Sequence, residues 1–502
     1  MDKLYSLGYT VDNNLQDNIN VYYKNNEKKF QFLEQSFYEN FSIPKHIIKD
    51  QIKYILSFSI EDREKNVNKD YLYLHYYNKV KMFFYYYGVM CYFLWNSLFG
   101  ESKKENKPVD IIFEYGYEPF YRIIFSRLKK YKTATIVFSK LVGNLNILYD
   151  NANEIFFSQS ALNNKYLKSI SFKIFKKQFS KYFFYNKLSN DIGIDIVTIA
   201  LKLIKQIAVH TTEMNGIKAK VLLSANCNAY GGLKYYIYKK NIVNLMIIEN
   251  GVIITKSPLS NGESFTYCDY YFGISSNKDN VEINCPVFKH WGSFILANTL
   301  YENNLNGISF NKEYDIVFME QFIMINSDEL DIDYYILSLN FLAKFSKKNP
   351  NYKVAYRVRT RRDDKMEAEK KKFAKIYDSI IENSNIVLDE DLSNNSYDAV
   401  LKSNIVVFYS SSIGIEALGI GKNILSINFN KKHFCKLTEE DSIGMLYEKS
   451  YELFENKLLF LLDINNKKKI DTYYQKMKKL YINQKPDLID RICNIIEKEV
   501  NK

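Results

Sequence analysis

The residues best placed to do chemistry lie late in the chain, where three serines and a glycine follow a strongly apolar run. Ile405 to Tyr409 is unbroken apolar and largely β-branched, the pattern of a strand buried on both faces of a parallel sheet. Ser410, Ser411, Ser412 and Gly414 come directly after it, and Ile413, Ala417 and Ile420 then recur at the spacing of one helix face. A helix starting at Ser411 or Ser412 would bring free backbone N–H groups, the positive end of the helix dipole and serine hydroxyls to one point. A glycine there would let a ligand approach closely. Such a turn suits a diphosphate or a nucleotide phosphate; the plainer alternative is that the serines only cap the helix and Gly421 only ends it.

Ligands of an open parallel sheet sit outside the carboxyl ends of its strands, so residues that follow strands supply the other candidates. Arg357 and Arg359 alternate along one predicted strand and so share a face, and Arg359 opens a cluster with Arg361 and Arg362. A guanidinium takes two phosphate oxygens at once in a fixed geometry, which suits it to a departing nucleotide; a surface basic loop is the alternative. Glu416, early in the predicted helix, is already favoured there by the dipole. Direct displacement of a nucleotide needs a carboxylate or imidazole within reach of the acceptor hydroxyl. Glu249, ahead of Gly251, is the first candidate for that base, Glu114, ahead of Gly116, the second, and Asp269 the third, with a turn-forming role as its alternative. His210 and His290 stand alone and read as structural. Glu320, Gln321, Asp389 and Glu390 also follow strands; the acidic run from Asp389 to Asp391 reads as loop and cap, and no metal site is indicated.

The elements that must position these residues alternate strand and helix. Lys79 to Phe99 is predicted as a long helix, Val109 to Phe113 as a strand, Arg122 to Tyr131 as a helix and Thr133 to Phe138 as the next strand, which makes a βαβ unit. Asn151 to His210 reads as mainly helical. Strands are expected at Ala219 to Leu223, Asn244 to Ile248 and Val281 to Val287, with a helix at Leu233 to Tyr238. The asparagine-rich stretch from Asn303 to Asn311 is the best linker, and beyond it α/β alternation becomes regular. Lys457 to Val500 is expected to be helical and suited to packing across the second domain or back onto the first. These patterns predict an α/β chain of two Rossmann-like domains facing across a cleft, residues 1–305 with extra helices and residues 306–502 with C-terminal helices.

Composition bounds the function without naming it. A chain of 502 residues with 47% hydrophobic content has ample core for two domains, and disorder is not a main feature. The 43 Tyr and 35 Phe beside 18 Gly read as codon bias of an AT-rich genome, which blunts arguments from aromatic clusters. A net charge of +12 makes an anionic partner natural: a sugar nucleotide, an anionic membrane face or nucleic acid. The last ranks low, because no zinc-finger spacing, RNP-like string or basic-region helix is present and the lysine runs at Lys370 to Lys375 and Lys467 to Lys469 read as solvated helix faces. Six scattered cysteines fit reduced thiols in a cytoplasm, and the N-terminus lacks a signal peptide's apolar core. Met82 to Phe99 is uncharged and nearly all apolar; a buried or interfacial helix is expected, ahead of monotopic membrane contact and of a true span.

The string Ser-Ser-x-x-Gly-x-Glu-Ala-x-x-x-Gly-Lys from Ser410 to Lys422 resembles the donor-binding segment of glycosyltransferases with the GT-B fold, particularly those of bacterial surface and capsular polysaccharides. The resemblance implies that Ser410, Ser411, Ser412 and Gly414 hold the nucleotide phosphates and that Glu416 meets a ribose hydroxyl. It also places Glu249-Asn250-Gly251 where that family has a Gln-His-Gly-like turn and Cys268-Asp269-Tyr270 where it has Ala-Asp-Tyr; the histidine is absent here. Arg-Val-Arg-Thr-Arg-Arg from Arg357 stands in place of a Lys-x-His-Pro string. By this resemblance the expected activity is that of a metal-independent glycosyltransferase of capsule or lipopolysaccharide type, cytoplasmic and peripheral to the membrane, with no cofactor beyond a nucleotide-sugar co-substrate. A CMP-activated sugar, as in sialyl- and Kdo-transferases, is one donor in view, and a glycan or lipid-linked glycan the acceptor. A polyol-phosphate transferase or sugar-nucleotide epimerase on the same frame, a non-catalytic scaffold and a nucleic-acid binder are the alternatives.

Overall fold

A computed structural model describes residues 21–65, 78–100, 107–114, 118–138, 154–158, 168–214, 216–224, 231–248, 268–274, 285–290, 292–293, 296–297, 299–300, 311–320, 329–358, 368–389, 396–409, 411–429, 443–482, 484–485 and 487–502. The linker expected at Asn303 to Asn311 falls almost wholly outside them.

Unbroken apolar runs make the strands, and two parallel sheets result. Among the described residues the first sheet has β1 (Lys107–Glu114), β2 (Thr133–Phe138), β3 (Glu154–Ser158), β4 (Ile217–Ser224), β5 (Ile242–Ile248), β6 (Tyr270–Gly273) and β7 (Val287–His290), in the order β3-β2-β1-β4-β5-β6-β7. The second has β8 (Tyr314–Met319), β9 (Val354–Arg357), β10 (Val387–Asp389), β11 (Ser403–Phe408), β12 (Asn423–Ile427) and β13 (Met445–Leu446), in the order β10-β9-β8-β11-β12-β13. Val221 to Leu223 and Ile405 to Phe408 are wholly buried, as strands covered on both faces must be. The chain is therefore α/β with two Rossmann-like sheets.

Three strands differ from the sequence reading. Where a strand was expected at Val281 to Val287, β7 runs from Val287 to His290, paired with β6, and residues 281–284 lie outside the described residues. Glu154–Ser158 lies within the stretch expected to be helical, but it pairs with β2 from Ala134↔Glu154 to Phe138↔Ser158. The neighbouring strand's backbone groups decide the conformation of so short an apolar run, which periodicity alone does not. β13 holds only two residues, too few for any pattern, and is defined by its pairing to β12.

Helices before and between the first strands build a core of their own. These are α1 (Glu27–Phe41), α2 (Lys45–Lys65), α3 (Asn78–Phe99), α5 (Lys168–Gln178), α6 (Tyr182–Ile192) and α7 (Ile196–Glu213), with α4 (Glu118–Leu128) and α8 (Gly231–Tyr238) lying in the crossovers of the first sheet. Phe30, Phe37, Ile48, Tyr86, Phe93, Tyr185 and Leu203 meet in that core. α7 is apolar around most of its circumference and accordingly sits at the centre, its start capped by Asp195, which accepts from Thr198 N at 2.9 Å. These are the extra helices expected in the first half of the chain.

The second sheet is covered by α9 (Glu329–Lys348), α10 (Ala368–Glu382), α11 (Ser396–Leu401), α12 (Ser412–Gly419), α13 (Tyr451–Leu462) and α14 (Lys467–Tyr481). The last helix, α15 (Leu488–Val500), does not join them. Its Leu488, Ile492 and Ile496 pack with Ile111, Phe113, Val221 and Leu223 of the first sheet. Polar bonds hold it there: Lys220 Nζ donates to Val500 O at 2.6 Å and Tyr270 OH to Glu499 Oε1 at 2.8 Å. The chain thus returns to its first sheet at its C-terminal end.

Candidate functional site

In each sheet the strand order reverses beside the first strand, between β1 and β4 and between β8 and β11. Such a reversal opens a crevice at the carboxyl ends of the two flanking strands, because the connections leave them in opposite directions. In the first sheet those ends are Glu114 and Ser224, which sit side by side in register. In the second they are Met319 and Phe408, so the serine turn that follows Phe408 and Tyr409 lies at the switch point.

Ser411 is the N-cap of α12, with an extended backbone (φ −149°, ψ 133°) that opens the helix, yet its side chain makes no capping bond. The helix start thus leaves the Ser411 hydroxyl unused for capping. Ser410 lies outside the described residues, and of Ser412 the backbone alone is described, as the first residue of α12. At Gly414 a Cβ would lie 2.1 Å from Cδ1 of Phe408, so the missing side chain admits the ring of the preceding strand.

Glu416 turns inward, 2% exposed, beneath α12. Tyr397 OH of α11 donates to its Oε2 and the Ser293 hydroxyl also bonds it. Burial disfavours the charged carboxylate and outweighs the Ser293 bond, so its pKa is pushed up to about 7. Ser293 follows β7 of the first sheet, so this carboxyl joins the helix under the serine turn to the other half of the chain. Gln484, between α14 and α15, grips the same residue: Ser293 N donates to Gln484 Oε1 at 2.8 Å and Gln484 Nε2 to Ser293 O at 3.2 Å.

Arg357 is buried and paired with Asp389, Nη1 to Oδ1 at 2.7 Å, on adjacent strands in register. That bond engages Nη1 of the guanidinium within the protein. Neighbouring polar groups close the same edge: Glu320 N donates to Arg357 O at 3.0 Å, and Tyr356 OH to Glu320 Oε1 at 3.1 Å. Arg359, Arg361 and Arg362 lie outside the described residues, as do Gln321 and Glu390.

Glu114 is wholly buried at the first switch point. Its Oε1 forms an ion pair with Lys234 Nζ of α8, and its Oε2 accepts from Ser224 Oγ at 2.6 Å and Tyr235 OH at 3.1 Å. The Lys234 ammonium lies 5.4 Å and 5.5 Å from the ring centres of Tyr235 and Tyr238. The carboxylate is therefore enclosed by an ammonium and two hydroxyls. Sequence reasoning missed Lys234; its signal was a lone charge in the otherwise apolar and aromatic helix that opens with Gly231 and Gly232. Glu249, the first base candidate, is outside the described residues. Asp269 accepts from Leu245 N at 2.7 Å and pairs with Lys239 at 2.6 Å, the bonds of a residue holding a turn. His210 pairs with Glu213 at 3.0 Å within α7.

No protein-family model and no curated protein sequence matches the chain. Solved structures match it in outline. A protein assigned as a UDP-N-acetylglucosamine 2-epimerase from Listeria monocytogenes aligns with a TM-score of 0.45 at 12% identity, over 78% of this chain and 96% of that one. The wall teichoic acid polymerase TagF aligns with a TM-score of 0.43 at 10% identity, over 84% and 98%. MurG from Acinetobacter baumannii gives 0.42 at 9% identity, over 78% and 100%.

Proposed function

We propose that the chain is a GT-B glycosyltransferase that moves a sugar from a nucleotide-sugar donor to a glycan or lipid-linked glycan acceptor in surface-polysaccharide assembly, working at the inner face of the cytoplasmic membrane. The observation that carries this is the start of α12 at the switch point of the second sheet, where Ser411 opens the helix without spending its hydroxyl on a cap. Backbone N–H groups and the helix dipole favour an anion there. Residues 306–502 bind the donor and residues 1–305 the acceptor, with α15 tying the two together.

In this reading Ser410, Ser411 and Ser412 and the Arg359 guanidinium stabilise the charge that grows on the leaving phosphate, an electrostatic contribution that needs no metal ion. Glu249 takes the proton of the acceptor hydroxyl. Arg357 and Glu114, both engaged in buried pairs, hold the carboxyl ends of their sheets in place. Cytidine, uridine and guanosine diphosphates all fit a site that grips phosphate, and CMP is the further nucleotide in view.

Thermal-shift titration of the full chain with CMP-, CDP-, UDP- and GDP-sugars, followed by nucleotide-release assays, tests the reading. One nucleotide class should raise the melting temperature in a saturable way, and Ser411→Ala and Arg359→Ala should each slow release by about tenfold or more with unchanged melting of the free protein. Indifference to every nucleotide, or wild-type rates in both variants, removes the proposed site. Release of an epimer of the donor sugar without an acceptor would move the assignment to an epimerase.

A further inference from the structure

Helix α3 has two apolar faces, and the fold uses one of them. Tyr86, Val89, Met90 and Phe93 are buried in the helical core. The opposite stripe, Val80, Phe84, Trp95, Leu98 and Phe99, is 59–68% exposed. Between these residues lie exposed Cys91 and Gly88, where a Cβ would meet nothing within 4 Å. At 1.5 Å per residue the stripe runs for roughly 28 Å, which makes it a continuous bare apolar surface rather than scattered exposed residues.

The neighbouring helices extend it. Ring contacts lead from Phe84 through Phe83 and Tyr182 to Phe183, itself 67% exposed, and from Tyr87 to Phe179. Helix α5 packs along α3 and carries exposed Lys173 and Lys176; Lys81 on α3 and Lys187 on α6 are exposed too. No Asp or Glu occurs from Asn78 to Gly100 or from Ile155 to Asn190. Lys205 Nζ donates to Tyr85 OH at 2.6 Å at the margin of the stripe.

We infer that this surface seats the protein on an anionic bilayer, with α3 lying in the interface plane and the lysines over lipid phosphates. Bulky aromatics flanked by Lys81, Lys173, Lys176 and Lys187, against Asp195 beside Tyr182, give a cationic apolar face that matches the chemistry of an acidic lipid surface. A second copy is the poorer occupant, because a two-fold contact would bring the same lysines against each other. A span is not available to α3, whose other face is committed to the core; among the described residues no helix is long and apolar enough to cross a membrane. The inference deepens the proposed function by naming the surface that meets the membrane, and rests on that reading only for the choice of lipid.

Flotation of the full chain with vesicles of phosphatidylcholine, alone or mixed with phosphatidylglycerol, tests it without any donor or acceptor. The protein should float with the mixed vesicles, less so at high salt, and Phe84→Ser/Trp95→Ser/Leu98→Ser should lose about tenfold or more of that binding with an unchanged circular dichroism spectrum and melting temperature. Trp95 and Trp291 are the two tryptophans, so Trp291→Phe leaves Trp95 as the reporter, and its emission should move to the blue when mixed vesicles are added. No flotation, equal flotation by the triple variant, or a silent Trp95 overturns the inference, as does a dimer that the triple variant dissociates. Transfer to a soluble acceptor by the triple variant should stay at the wild-type rate, so loss of the docking surface and loss of the enzymatic reading are separate results.

Discussion

Gly414 and Phe408 occupy one shared space: the phenyl ring of β11 fills the volume that a side chain on α12 would take, with Cδ1 only 2.1 Å from an ideal Cβ. The ring is wholly buried. The close approach of helix to strand constrains the start of α12, where Ser411 is the N-cap. The glycine at this position is a packing requirement of the helix on its strand.

Gly414→Ala should therefore destabilise the protein by about 1–3 kcal/mol, the usual cost of overpacking a filled core. Denaturant unfolding measures it. Gly414→Ala combined with Phe408→Leu should recover part of the loss, since the shorter side chain frees the contested space; a fully additive double variant would show that the two residues do not compete.

Glu416 makes stability depend on pH in an uncommon direction. Its folded pKa of about 7 lies above the ordinary carboxylate value of 4.5 because burial favours the neutral acid. The folded state holds this proton more tightly than the unfolded chain, so the contribution is full below about pH 4.5 and is lost as pH rises through about 7. Glu416→Gln keeps a neutral group that accepts from Tyr397, and its stability relative to wild type should rise on the order of 3 kcal/mol between pH 4.5 and pH 8. Chemical denaturation at the two pH values gives the difference; a constant gap would mean the carboxyl is not held neutral.

The two parallel sheets were legible because strands buried on both faces write themselves as apolar runs, as at Leu245 to Ile248 and Ile405 to Phe408. The carboxyl ends of such runs then point to Ser411 and Glu114 from the sequence alone. What a run does not show is its partner. Glu154–Ser158 looked helical because its strand character comes from β2. The pairing of Arg357 with Asp389, 32 residues on, was equally invisible. Lys234 escaped notice for the same reason, since its reason to be buried is a carboxylate 120 residues earlier, across the sheet.

The Glu114 and Lys234 pair is enclosed enough that removing one charge strands the other. Lys234→Met should cost about 3–5 kcal/mol, while Glu114→Gln with Lys234→Met should cost clearly less, because no unpaired charge then stays buried. Thermal unfolding of the single and double variants measures both. The double variant also separates roles: retained transfer would leave Glu114 as a strut of the switch point, whereas loss of transfer at wild-type stability would mark it as a group that meets substrate.

The return of α15 to the first sheet should show itself as a stability signal at a distance in sequence. Ile492 is wholly buried in the cluster that contains Phe113 of β1 and Leu223 of β4. Ile492→Ala should cost about 2–5 kcal/mol through lost burial and the cavity left behind. Hydrogen exchange locates the damage: amides of Ile111 to Phe113 and Val221 to Leu223 should exchange faster, while those of β11 and β12, which belong to the other core, should hold their protection. Because α14 ends at Tyr481 in the second core and α15 begins at Leu488 in the first, six residues around Gln484 carry the connection. If the faster exchange appeared in β11 and β12 instead, the last helix would belong to the sheet that precedes it, and the tie between the two halves through Gln484 and Ser293 would have no mechanical role.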